Sequence, residues 1–406
     1  MASRIARTLT GMSATTAVGL SLIVAPAAVA QPETRAQDSA PILIGHRGAA
    51  GTAPENTVAA FEDGRTSGAD FFEIDVQLSA DGVPFLFHDD TPARTTNVEE
   101  VFPERADNPI TSFTWNELQQ LDAGSYFDER YQGERIPHLD DAAKVATANT
   151  GVYIEIKSPV NSPGVEQLVA DELRTNAKWQ QLVAGDKIQV LGFDEASNRK
   201  FAQLAPEIEL QQLSGVVPGP AVLESWTEFA DSVGTNYRVL SAQNVADVKA
   251  AGLVLGVYTV NSPEAVQVSL ALGVDAITTD FPIQNARLLR DTPVFPGSGV
   301  EITDSVNNPV GDDVQPENGE YVLLRNTSNG SIDVSGYLIR DAANNTLTVG
   351  NGYVLAPGAE LRVHTGPGTD SAGSYYNGLT ASVLNNGGDS VALWTPQDKL
   401  QDVFAN

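Results

Sequence analysis

From Pro41 to about Arg290, short runs rich in Val, Ile and Phe alternate with stretches whose apolar residues recur at helical spacing. The strand-like runs are PILIGHRG (41–48), DFFEIDVQL (70–78), VPFLFHD (83–89), VYIEIK (152–157), KIQVLGF (187–193), IELQQL (208–213), YRVLS (237–241), LVLGVYTV (253–260) and DAITTD (275–280). Helical patterns lie between them, among them Thr57–Ser67, Asn161–Asn176, Glu195–Leu204, Asn244–Ala251 and Pro263–Leu272. Repeated βα units predict a parallel sheet, and a span of about 250 residues predicts its closure into a TIM barrel. Nine runs are one too many for eight barrel strands. Ser79-Ala80-Asp81-Gly82 between the second and third contains a tight-turn dipeptide, and a parallel crossover needs a dozen or more residues. The third run therefore reads as a hairpin return over the barrel mouth. A two-residue Asp81-Gly82 loop would set Asp75 directly opposite His88.

Residues 91–150 interrupt the rhythm with Pro103, Pro109, Pro137 and an Asp-Ala-Gly turn at 122–124, and read as an insertion or lid. A Pro- and Gly-rich linker follows the barrel domain (41–290) at 291–299. Over 300–406 helical signals vanish, and short alternating runs (GEYVLLRN, VSGYLIRD, AELRVHTG, DSVALWT) between Gly and Asn clusters predict a β-sandwich of about 100 residues.

The N-terminus adds a targeting segment. Arg4 and Arg7 precede an apolar stretch from Met12 to Ala25, and Ala28-Val29-Ala30 has the small-x-small form of a signal-peptidase site. Residues 1–30 read as a signal peptide and 31–40 as a flexible leader, which predicts a secreted protein. No later run has the length and apolarity of a membrane span. The chain has no cysteine, so neither disulfides nor thiolate ligands are available. Its net charge of −28 becomes about −30 when Arg4 and Arg7 leave with the signal peptide, a balance that repels nucleic acid and anionic lipid and suits divalent cations.

Barrel enzymes carry their chemistry at the C-terminal ends of strands. His46 ends an apolar run and is followed by small residues, and Arg47 has the fork geometry that grips a phosphate. Glu73 and Asp75 are two apart and share one face of a strand. Inside an apolar strand two carboxylates repel unless a cation sits between them, and a hard ion such as Ca²⁺ or Mg²⁺ satisfies that; a solvent-exposed face is the alternative. His88 closes the returning strand as a candidate proton carrier. Glu155 offers a third oxygen ligand, and Lys157 on the same face could neutralise a phosphate oxygen or simply pair with Glu155. His138 and His364 lack such settings and read as structural or surface residues.

Together, GHRG (45–48), PENT (54–57), GADFFEIDVQLSADGVPFLFHDD (68–90), LDAG (121–124), YIEIK (153–157), VYTVNS (257–262) and ITTDFP (277–282) resemble the glycerophosphodiester phosphodiesterase family over about residues 41–290. The resemblance implies a TIM barrel that hydrolyses small glycerophosphodiesters to sn-glycerol 3-phosphate and an alcohol. It implies His46 and His88 as the acid–base pair, and Glu73, Asp75 and Glu155 as ligands of one Ca²⁺ or Mg²⁺. Arg47 and Lys157 would contact the phosphate, and Glu55 would lie close to the same centre. It also implies attack by the substrate's own glycerol hydroxyl, through a cyclic phosphate that water opens. The chain departs from the pattern at Tyr258, where Trp is common, at Gly192 and at His138, which bears on substrate preference. Residues 300–406 resemble the lamin tail domain, an immunoglobulin-like sandwich, through GEYVLLRN, DVSGYLIRD, LAPGAELRVHTG and LNNGGDSVALW. The module reads as an attachment domain for a cell-envelope ligand or as a passive spacer. Two other functions stay open: a related barrel enzyme acting on lipid head groups or glycerol-phosphate envelope polymers, and a non-catalytic surface-binding protein.

Overall fold

The computed structural model describes residues 40–406. The expected signal peptide and most of the expected leader lie outside the described residues. Eight parallel strands close into a barrel: β1 (Ile42–Gly45), β2 (Phe71–Leu78), β4 (Gly151–Ile156), β5 (Ile188–Gly192), β6 (Glu209–Ser214), β7 (Ser232–Asn236), β8 (Val254–Tyr258) and β9 (Ala276–Thr279). β1 pairs with both β9 and β2, which shuts the ring. β3 (Pro84–Leu86) runs antiparallel on β2 outside it, as the extra run predicted.

Alternation along the strands sorts the side chains into two layers. Phe72, Ile74 and Val76 of β2 and Val152, Ile154 and Ile156 of β4 belong to the apolar core shared with the surrounding helices. Their neighbours Glu73, Asp75 and Glu155 face the other way, toward the barrel axis. The helices start where short polar side chains can satisfy their first free N–H groups. Thr57 accepts from Ala60 N ahead of Val58–Thr66, Asp194 from Ser197 N ahead of Glu195–Leu204, and Ser262 from Ala265 N ahead of Pro263–Leu272. Ser241 forms a capping box with Asn244, which starts its helix at Ala242, two residues before the pattern does.

Three expectations need correction. Partners in β2 and β3 sum to 162, as in Val76↔Leu86, so Asp75 is not opposite His88; its carbonyl accepts from Phe87 N at 2.9 Å. The cause is a three-residue loop: Ser79 N bonds Val83 O, Gly82 N bonds Ser79 O, and Gly82 takes φ +79°. The expected strand at 237–241 is a 3₁₀ turn (Tyr237–Val239), and the barrel strand is the preceding SVGTN. Ser232 turns into the barrel interior, where its Oγ accepts from Gln189 Nε2 at 2.8 Å, and Val233 is the strand's one apolar letter beyond glycine, so no apolar run marks it. Within 91–150, the excursion has its own small core of Val98, Ile110, Phe113, Leu118, Leu121 and Ile136 beneath Phe85. It ends by Leu139, because the helix Leu139–Val145 packs its apolar face into the barrel core.

The C-terminal residues form two four-stranded sheets around one apolar core. The first joins Val300–Val306, Tyr321–Asn326, Glu360–His364 and Ser374–Tyr376; the second joins Thr346–Thr348, Leu338–Arg340, Ser390–Trp394 and Leu400–Ala405. A further apolar cluster gathers Phe281 of the barrel with Ala392, Trp394 and Val403 of the second sheet.

Candidate active site

The site grows from the turn that follows β1. His46 N donates to Thr279 O at 2.8 Å, which ties the turn to β9. Arg47 sits at φ +47°, and its backbone N–H points at Glu73 Oε2, 2.7 Å away. Gly48, at φ +93°, runs so close to the first helix that a Cβ would lie 2.5 Å from the Ala60 carbonyl carbon. Only glycine fits there.

Glu73, Asp75 and Glu155 converge from adjacent positions of β2 and β4, where Asp75 pairs with Glu155. They can offer one carboxylate oxygen each, all within 4.8 Å of one another. Their exposures of 3%, 1% and 8% exclude the solvent-facing alternative. Glu73 Oε1 and Asp75 Oδ1 are buried with no hydrogen-bond partner. Burial, then repulsion from Asp75 and Glu155, pushes the Glu73 carboxyl well above the usual range. Burial and Asp75 push Glu155 up as well. For Asp75 burial acts upward too, but His88, Lys157 and Arg47 and the Asn56 hydrogen bond outweigh it and hold the carboxyl low. Asn56 Nδ2 donates to Asp75 Oδ2 at 2.7 Å, and Asn56 Oδ1 accepts from Asp75 N. Three buried acids, two of them with orphaned oxygens, fit a hard divalent cation. A second carboxylate–imidazole group, Glu55, His88 and Asp89, is already neutralised by Arg94, which donates to both acids at 2.6 to 2.9 Å.

Both candidate histidines are held alike. His46 Nδ1 lies 2.7 Å from Asp280 Oδ1, and His88 Nδ1 lies 2.7 Å from Asp89 Oδ1. An ionised carboxylate only accepts, so Nδ1 carries the proton and Nε2 is left to act. Burial pushes Asp280 up, yet His46 and Asn261 outweigh it and keep its carboxyl low. Asp89 is likewise held low against burial by His88 and Arg94. The cations complete the floor: Arg47 Nη1 donates to Glu55 Oε1 at 2.7 Å, and Lys157 Nζ to Glu155 Oε1 at 2.9 Å. Glu55 therefore makes its contacts with Arg47 and Arg94. Tyr258 donates to Ser214 O at 2.9 Å and meets Phe193 edge-on at 6.0 Å, and Lys157 Nζ lies 5.8 Å from the Phe193 ring. His138 caps the helix at Leu139, and His364 stacks on Tyr376 in the sandwich.

Asp280, Arg94, Asn56 and Asn261 received no role from sequence reading. Asp280 ends β9 as His46 ends β1, a positional signal that a strand-end search finds. Arg94 stands in an irregular segment with no spacing to mark it.

The family model of the glycerophosphoryl diester phosphodiesterases matches residues 46–284, and that of the lamin tail domain matches 293–406. A glycerophosphodiester phosphodiesterase of Caldanaerobacter subterraneus is 32% identical over 255 residues, covering 61% of this chain and 98% of the relative. One of Bacillus subtilis is 28% identical over 277 residues, covering 65% and 91%. An Oleispira antarctica phosphodiesterase, solved with the product sn-glycerol-3-phosphate, superposes with a TM-score of 0.54 at 30% identity, over 62% of this chain and 97% of that one. By its barrel, its convergent strand-end residues and the match across more than half its length, the chain belongs to the glycerophosphoryl diester phosphodiesterase family, with a lamin tail domain after the barrel.

Proposed function

We propose that this chain is a secreted, divalent-metal-dependent hydrolase of small glycerophosphodiesters, releasing sn-glycerol 3-phosphate and an alcohol. The observation that carries the reading is the buried Glu73–Asp75–Glu155 cluster flanked by two imidazoles, each backed by a carboxylate. Glu73, Asp75 and Glu155 would hold the ion, one Ca²⁺ or Mg²⁺. When bound, that ion polarises a phosphoryl oxygen and offsets the charge that develops there. Arg47 and Lys157 add fixed positive charge beside the same oxygens. One imidazole takes on Nε2 the proton of the attacking glycerol hydroxyl while the other donates its Nε2 proton to the leaving alkoxide; water then opens the cyclic phosphate to sn-glycerol 3-phosphate, its proton passing to the imidazole that gave one up and the ring oxygen taking one from the other. Asp280 and Asp89 orient the rings and stabilise their protonated forms, the role carboxylates play in other acid–base pairs. Tyr258 and Phe193 form the wall that faces the alcohol.

Secretion rests on residues 1–30, and its test is N-terminal sequencing of the protein from culture medium, with Gln31 expected first. Among the described residues no helix is long and apolar enough to cross a membrane.

The functional test is product identity. Glycerophosphocholine incubated with the protein and Ca²⁺ or Mg²⁺ should give glycerol 3-phosphate and choline. Release of glycerol and phosphocholine would overturn the stated bond cleavage, and no turnover of any small glycerophosphodiester by folded protein would overturn the reading and point to lipid or polymeric phosphodiesters.

A further inference from the structure

One side chain, Asn261, joins the sandwich to the group that holds a catalytic imidazole. Asn261, buried between β8 and β9, has two amide protons, and both are used. One goes to Asp280 Oδ2 at 2.6 Å, and the other crosses to the C-terminal domain, to Ser390 Oγ at 2.9 Å. Asn261 Oδ1 meanwhile accepts from Asp280 N at 2.8 Å and from Thr279 Oγ1 at 3.3 Å. Asp280 is the carboxylate that holds His46 Nδ1. The route from sandwich to imidazole is thus Ser390, Asn261, Asp280, His46, every step a direct hydrogen bond.

The surrounding packing favours the same path. Phe281 follows Asp280 directly, and its ring lies on Gly51, where a Cβ would come within 2.4 Å of it. Ala392, Trp394 and Val403 of the sandwich bury the same Phe281 in one apolar cluster. Gly51 N donates to Asp280 O at 2.9 Å, so the residue that orients His46 is clamped on its backbone side as well. A spacer domain would need none of this.

We propose that the C-terminal sandwich is a working part of the hydrolase site, and that Ser390 is a positioning residue that fixes His46 through Asn261 and Asp280. The proposal rests on His46 being an acid–base group, as above. Ser390 touches no reacting atom. With the Asp280 N–H and the Thr279 hydroxyl fixing Asn261 Oδ1, Ser390 takes the amide proton that Asp280 does not and so trims the angle at which Asp280 meets the imidazole. Catalysis is sensitive to such angles.

The test uses the full chain with ¹⁵N-labelled histidine. Four histidines give few signals, and those of His46 are assigned by their loss in His46→Gln. Ser390→Ala removes the hydroxyl and Ser390→Thr retains it. Arg238→Ala loosens the same interface elsewhere, since Arg238 donates to Asn406 O at 2.9 Å and Asp389 O at 3.0 Å but has no bond to Asn261 or Asp280. The expected result is a shift of the His46 ring nitrogens in Ser390→Ala that Ser390→Thr restores and Arg238→Ala does not produce. With glycerophosphocholine, kcat in Ser390→Ala should fall about 3- to 10-fold at unchanged KM, the scale of one lost hydrogen bond. Unmoved His46 signals in Ser390→Ala, or an equal movement in Arg238→Ala, would overturn the proposal. The ring signals are read without turnover. Moved signals in a protein inactive on every glycerophosphodiester would therefore fault the functional reading and leave the positioning chain standing.

Discussion

At the scale of residues, the account turns on two imidazoles and the groups behind them. His46→Ala or His88→Ala should lower kcat by about 10²- to 10⁴-fold, the usual worth of a general acid or base, with the circular dichroism spectrum unchanged. A loss below tenfold in either would remove that histidine from proton transfer. Asp280→Asn keeps the shape but presents His46 with a neutral partner. It should lower kcat within the same range, with KM nearly constant, in steady-state assays on glycerophosphocholine. The imidazoles, the three acids and the two cations were legible because each follows or interrupts an apolar strand, where a polar residue needs a reason. Asp280 and Asn261 were visible as letters but not as partners, since their role depends on β9 closing onto β1. Arg94 was illegible: its meeting with Glu55, 39 positions away, is made by the irregular segment after β3.

At the scale of elements, the β1 turn is the least forgiving part. Gly48→Ala places a methyl group against the Ala60 backbone at a φ that L-residues avoid. The expected cost is about 1–3 kcal/mol of stability from backbone strain alone, with loss of activity as the turn moves off Glu73. Urea unfolding checks it, and an unchanged midpoint would mean that the turn is slack. Strand existence was readable wherever the outward face is apolar, as in β2 and β4. β7 was misplaced because SVGTN has no apolar run and turns Ser232 into the barrel. The β2–β3 register was misread by one because Ala80 joins the loop and Gly82 absorbs the turn, a choice of loop geometry that alternation does not encode. His88 still acts on Asp75 electrostatically despite that slip.

At the scale of the whole molecule, buried carboxyls set the response to pH. Burial pushes Asp341 up to about 6 and Asp402 up to about 7. Unfolded, each ionises near pH ~3.9, so between that value and the folded one the native state binds more protons. Their contribution to stability is complete below pH ~4 and is lost as pH rises through 6 to 7. The opposite group, Asp75, Glu55 and Asp89, is held low by cationic neighbours and contributes above the unfolded carboxylate values, fading as pH falls below about 4. Thermal unfolding in chelator should therefore give a higher Tm near pH 5 than near pH 8; a Tm that rises steadily to pH 8 would contradict the burial of Asp341 and Asp402. The three acids of the site resist ionising together, so an added divalent cation should raise Tm at pH 7.5. The stabilisation is about 2.7 kcal/mol at a hundred times Kd, and Glu73→Gln should abolish most of it.

The central claim is that the Glu73–Asp75–Glu155 cluster holds the ion on which hydrolysis depends. Its most direct test is glycerol 3-phosphate release by chelator-stripped protein while Ca²⁺ or Mg²⁺ is titrated back, with wild type beside Glu73→Gln. The account predicts almost no release from stripped wild type, saturable recovery with one ion per chain, and little recovery in Glu73→Gln. Undiminished release from fully stripped protein, or equal recovery in the variant, would contradict it.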